Sequence, residues 1–206
     1  MGLLPPCCRY LSVLLLPTLV AWADSPSYAY LATQPDMRWA YTLEQAPESC
    51  TIRVTLPGYR VEQVGSEAEI AIGGPSGWTR PGEPRLPVLP VVFDVAEGVD
   101  LTVTVQEGEP TLQAVGNVRP ATRLESVPVD GLTEQVVTVA RPSPNIYGNA
   151  SWWPAALVDQ REAKGQGRRF VRFGITPFRY HPVEGNLAFY SNLTVSVTFT
   201  PEAGAP

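Results

Sequence analysis

Apolar and polar residues alternate along much of this chain after residue 50. Ile52, Val54 and Leu56 are interleaved with Thr51, Arg53 and Thr55, and Ala68, Ile70 and Ile72 repeat the pattern. A period of two places every second side chain on one face, which predicts half-buried strands. Leu101, Val103 and Val105 alternate with threonines, a strong β pattern. The cleanest alternation closes the chain. Leu193, Val195, Val197 and Phe199 point one way, and Asn192, Thr194, Ser196 and Thr198 the other. Further extended segments are expected at residues 59–64, 91–95, 111–115, 135–140, 170–173 and 175–180.

Turn signals separate these runs. Pro57-Gly58, Gly73-Gly74-Pro75 and Val183-Glu184-Gly185-Asn186 mark turns, the last a hairpin with Gly185 available for positive φ. Residues 24–50 lack periodicity and are expected to form a lead-in strand or an irregular cover. Pro84, Pro87 and Pro90 recur every third residue, which suits extended backbone. Each removes a ladder donor, so the run belongs on a sheet edge or over a barrel mouth. Residues 155–167 hold Ala, Leu, Glu, Gln and Lys, and are the one place where a short helix is expected. The pattern predicts an all-β fold, an antiparallel β-sandwich or partly open β-barrel of about ten short strands.

Composition supports a packed domain. Apolar residues make up 44% of the 206, enough for a sizeable core. Proline, at 22 residues, works against long helices. A net charge of -5 gives no footprint for nucleic acid or an anionic membrane. Lys164 is the only lysine among 15 basic residues, a bias of genome composition before function. At the N-terminus, Arg9 precedes an apolar core at residues 11–20, too short for a stable membrane span. Ala21-Trp22-Ala23 is a small-x-small site before Asp24, so residues 1–23 read as an export signal cleaved between Ala23 and Asp24. Residues 24–206 then form one β domain, extracellular or at the cell surface. Cys7 and Cys8 leave with the signal, and Cys50 alone cannot make an intrachain disulfide.

Candidate chemistry is sparse. Cys50 and His181 are the only cysteine and histidine of the mature chain, but neither has local support for a nucleophile and its base. Glu48 near Cys50 works against a thiolate. One histidine and one thiol do not make a zinc site, and no phosphate loop is present, so no catalytic residue, metal or cofactor is expected. Trp152-Trp153 is either a sugar-stacking platform or core filling. Asn149-Ala150-Ser151 and Asn192-Leu193-Thr194 are formal glycosylation sequons. Arg119 and Arg123 lie in a polar, non-periodic stretch. They are either solvated loop charges or basic side chains offered to an acidic specificity pocket. Pro120 after Arg119 resists cleavage at that bond.

Two elements carry a family resemblance. Gly82-Glu83-Pro84-Arg85-Leu86-Pro87 resembles the Gly-x-Pro-x-Leu-Pro element of the N-terminal propeptide of gingipain-type cysteine peptidases. Phe178-Arg179-Tyr180-His181-Pro182 with Gly185-Asn186-Leu187-Ala188-Phe189-Tyr190 resembles the family's second element, Pro-x-x-Tyr-x-Pro followed by Gly-x-Leu-x-x-Tyr. The resemblance implies a non-catalytic β domain that keeps a caspase-like cysteine peptidase domain latent, assists its folding, and acts in cis or in trans. It also implies that a basic loop residue occupies the enzyme's pocket, with Arg119 and Arg123 as candidates. The catalytic domain is expected to be missing from this chain, which ends at Pro206. The other reading is a secreted adhesion or carbohydrate-binding sandwich using Trp152 and Trp153.

Overall fold

The alternating segments form strands in the computed structural model, which describes residues 38–74, 79–96, 98–128, 134–165 and 168–201. The chain begins with β1 (Ala40–Ala46), β2 (Ser49–Thr55), β3 (Arg60–Val64) and β4 (Glu67–Ala71). It continues with β5 (Leu89–Val95), β6 (Val99–Glu107), β7 (Thr111–Ala114) and β8 (Asn117–Val118). Next come β9 (Arg123–Pro128), β10 (Glu134–Val139) and a one-turn helix, α1 (Pro144–Tyr147). The last strands are β11 (Val158–Gly165), β12 (Arg168–Ile175), β13 (Phe178–His181), β14 (Asn186–Phe189) and β15 (Asn192–Pro201).

The sheet orders are β1-β2-β15-β6, β11-β12-β5, β13-β14-β7, β3-β4-β8 and the isolated pair β10-β9. Among the described residues the named strands all pair antiparallel except β4 with β8. The fold is therefore all-β and sandwich-like. No sheet closes into a barrel among the described residues, and the strands outnumber the ten expected.

The alternation buries the expected faces. Ile52 and Val54 of β2 sit directly across from Val195 and Leu193 of β15, and all four are buried. Phe93 of β5 meets Phe173 of β12 at 5.5 Å and Phe199 of β15 at 6.0 Å, so the aromatic contacts run from one sheet to the next. Pro90 sits on β5, an edge strand, where its missing N–H costs no ladder bond. Gly185 has φ 65° in the β13–β14 turn. A Cβ there would lie 3.0 Å from the Gly116 Cα, so the turn also needs glycine for backbone packing.

One expectation is overturned. Residues 155–167 do not form a helix, since Val158–Gly165 is strand β11, paired along its length with β12. Helix-forming residue types are a weak prior that tertiary pairing overrides. The segment has no apolar stripe at helical spacing to bury. As a strand it places Glu162 against Arg169, with the Arg169 Nη2–Glu162 Oε1 pair at 2.7 Å.

Two tyrosine hydroxyls hold the short strand β8. Buried Val118 donates its N–H to the Tyr180 hydroxyl at 3.2 Å, and its carbonyl accepts from the Tyr147 hydroxyl at 2.7 Å. Tyr180 in turn donates to the Gly116 carbonyl at 2.9 Å. Tyr180→Phe strips partners from two backbone groups, and a buried group left unpaired costs about 1–3 kcal/mol. Urea unfolding should register a loss of that size.

Burial also sets the alkaline limit. It pushes the Tyr59 hydroxyl from 10.0 up to about 12. Burial raises Tyr147 too, helped by neighbouring Tyr180 and Glu67, and it raises Tyr180 despite the bond to Val118. The folded chain thus keeps protons that the unfolded chain releases. Stability is full below the ordinary tyrosine range and falls as pH rises through it toward the folded values. The urea midpoint should stay level up to about pH 9 and drop steeply between about 10 and 12.

Candidate functional site

The hairpin β9–β10 stands apart from the sheets. Its two strands pair in a ladder with each other and with no other strand among the described residues. In the register, Leu124 faces Thr138 and Ser126 faces Val136, so these four share one side. Leu124 is 73% and Val136 65% exposed, two apolar side chains offered to solvent on that side. Arg123, Glu125, Val137 and Val139 share the opposite side.

The foot of the hairpin is strapped to the body by the Gly82–Arg85 segment. Gly82 donates its N–H to Ala121 O at 2.9 Å and accepts from Ser143 N–H at 2.8 Å, so it touches the chain on both sides of the hairpin. Ala121 N–H donates to Glu83 O at 2.8 Å, and Arg85 N–H to Arg119 O at 2.9 Å. Gly82 has φ 85°, and a Cβ there would lie 3.1 Å from Arg141 O. The Gly-x-Pro-x-Leu-Pro element is thus the clamp that fixes where the hairpin leaves the fold.

Four arginines gather at this foot around two glutamates. Glu69 lies 2.9 Å from Arg85 and 3.8 Å from Arg119. Glu125 takes the guanidinium of Arg123 and lies 3.6 Å from Arg141. Both sequence-derived candidates are therefore here, in different settings. Arg119 is locked by its backbone, with its N–H on Ala68 O and its carbonyl accepting from Arg85, and its side chain is 32% exposed. Arg123 is the first residue of β9, not part of a loop, and its side chain is 53% exposed. Sequence reasoning missed the exposed face of Leu124 and Val136. A possible signal was the run Val136-Val137-Thr138-Val139, apolar on both faces of a strand that no sheet covers.

The other candidate groups lie elsewhere. Cys50 is fully buried in β2, across from Gln45 and Val197. His181 ends β13 in a different sheet, where its Nδ1 accepts the Glu184 N–H at 3.3 Å and its ring meets the Trp152 edge at 5.3 Å. The two tryptophans do not form a shared flat platform. Trp153 packs against the core and exchanges backbone hydrogen bonds with Tyr180, while Trp152 is 36% exposed. No cluster of three or more His, Cys, Asp or Glu side chains is placed to share a metal among the described residues. No described helix is long and apolar enough to cross a membrane. Asn149 and Asn192 of the sequons are both exposed. Ala23 and Asp24 lie outside the described residues.

Known proteins provide a frame for this geometry. None of the curated proteins compared matches the chain. A solved structure of gingipain K from Porphyromonas gingivalis, concerned with its zymogenic latency, has a TM-score of 0.63 at 17% identity, covering 85% of this chain and 100% of its own. A complex of the pro- and mature domains of RgpB from Porphyromonas gingivalis has a TM-score of 0.61, also at 17% identity, covering 84% of this chain and 88% of the other. At such identity they show a shared fold. The Propeptide_C25 family profile matches residues 29–205, a span that contains every described residue, and the chain belongs to that family.

Proposed function

We propose that this chain is a secreted, non-catalytic propeptide-type domain that holds a gingipain-like cysteine peptidase latent and assists its folding. The observation that carries this reading is the strapped, projecting hairpin. It offers an apolar face, Leu124 and Val136, and on the opposite side of the same hairpin an exposed guanidinium, Arg123. Interfaces of this kind combine a desolvated apolar anchor with an arginine that enters a pocket. The hairpin foot is rigid, held on both flanks by Gly82, so the surface is pre-organised and little ordering cost is expected on binding. Arg123 is the better placed of the two basic candidates. The Arg123–Leu124 bond lies within a paired strand, with Arg123 across from Val139 and Leu124 across from Thr138. That pairing protects it from being read as an extended substrate. The partner is a caspase-like peptidase domain, in cis or in trans, and the setting is extracellular or at the cell surface after cleavage at Ala23–Asp24.

The double substitution Leu124→Asp/Val136→Asp tests the hairpin directly. Both positions are exposed, so folding should be preserved within about 0.5 kcal/mol. Co-elution of the chain with a gingipain-like catalytic domain on a sizing column should be lost. A double variant that folds and still co-elutes as the parent does removes the hairpin from the interface.

A further inference from the structure

A second site lies on the outer face of sheet β11-β12-β5, beyond the strap. The register puts Arg161 of β11 directly across from Arg172 of β12. Like charges directly opposed across two strands destabilise a sheet. Arg161 is partly compensated by Asp159, with Nε to Oδ2 at 2.7 Å. The Arg172 side chain makes no hydrogen bond or ion pair within the described residues. The pair borders a cleft of about 250 Å³ whose lining also includes Arg80, Trp153 and Thr176. Gly174 contributes no side chain to it, and a Cβ there would stand 3.1 Å from the Val88 methyl, in the space the cleft occupies. Thr176, only 7% exposed, lines the same cleft.

Charge decides what the cleft takes. Arg80, Arg161 and Arg172 line it against Glu83 and Asp159, three positive groups to two negative, which leaves a single positive charge over. Glu83 is already engaged, accepting the Arg80 N–H at 3.1 Å. The chain as a whole carries -5, so this excess is local and not part of a general basic field. A guanidinium matches a planar carboxylate with two parallel N–H···O bonds. The remaining wall, with Trp153, Pro154 and Val88, is apolar. Its volume falls just below the usual range for drug-sized ligands, about 300–1,000 Å³.

We infer that this cleft binds a small monocarboxylate on a ring-sized body, with its carboxylate bridging Arg172 and Arg161 and its ring against Trp153. The bound carboxylate relieves the opposed arginines. The ring has two possible sources, an apolar acid or a sugar acid. The site is separate from the hairpin and does not depend on the peptidase reading.

Calorimetric titration of the full chain tests this with benzoate and glucuronate, each against its neutral counterpart, benzamide or glucose. At least one acid should saturate one site per chain while its neutral counterpart does not, and which acid binds identifies the source. Arg172→Gln should weaken that acid roughly tenfold or more, the loss of a charge-assisted hydrogen bond. Arg53→Gln, on a different sheet, should leave it unchanged. Because Arg172→Gln removes a repulsion, its melting temperature without ligand should equal or exceed that of the parent. Should that variant fold poorly, Arg161→Gln provides the same comparison. Equal binding of acid and neutral counterpart, unchanged affinity in a folded arginine variant, or no saturable binding of either acid would overturn the assignment.

Discussion

Arg123→Ala should raise the inhibition constant of this chain against a gingipain-like peptidase by roughly 30-fold or more, the effect of truncating an arginine anchor worth at least about 2 kcal/mol. Arg123 leaves its present partner at little cost. Its side chain is 53% exposed, and its ion pair with Glu125 lies within its own strand. Exposed pairs of this kind contribute about 0–1 kcal/mol. Glu125 keeps Arg141 at 3.6 Å when Arg123 departs, so no carboxylate is stranded. Entry into a desolvated acidic pocket therefore gains more than the surface pair loses. Arg119 is the contrasting case. Its backbone is bonded on both sides, its side chain is less exposed, and it shares Glu69 with Arg85. Arg119→Ala should change inhibition by less than about threefold. Progress curves with both variants decide between them. A large loss for Arg119→Ala and none for Arg123→Ala would move the pocket residue to Arg119.

The second large effect concerns the core. Phe173→Ala should cost about 3–5 kcal/mol, the range for removing a buried aromatic ring. Phe173 is fully buried in the central strand β12 and meets Phe93 edge-on, which in turn meets Phe199 of the β15 sheet. Its loss opens a void where two sheets join. For a domain of this size the melting temperature should fall by roughly 6–20 °C. Leu124→Ala, at a residue 73% exposed, serves as the comparison and should stay within about 0.5 kcal/mol. Equal, small losses in both variants would mean that the aromatic chain does not join the sheets into one cooperative core.

Much of the fold was legible wherever burial imposes a period. Strands β2, β4 and β15 have one wet and one dry face, and the alternation of Ile52, Ile70 and Val195 with polar neighbours marks them. The Gly185 turn was legible because a tight hairpin needs positive φ. Pairing was not. β2 lies between β1, its neighbour in sequence, and β15, some 140 residues away, and nothing local in either sequence specifies that partner. The segment 155–167 misled because Glu, Gln and Lys favour helices only where no strand partner competes, and β12 competes.

The candidate site was half legible for the same reason. The strap Gly82–Arg85 could be identified as a motif, but its role emerges only from its bonds to residues 119–121 and 143. β9 gave no strand signal, since Leu124 and Val127 lie three apart and no sheet covers either side. Arg123 therefore looked like a loop residue. Burial produces sequence periodicity, and an element built to project into solvent carries little of it.

The central claim is that this chain restrains a peptidase. Its most direct test is titration of an active gingipain-like catalytic domain with the purified chain, following hydrolysis of an arginyl substrate. The account predicts a linear fall in activity to a break point at one chain per enzyme, with the enzyme recovered intact. Undiminished activity at a large molar excess of correctly folded chain would contradict it.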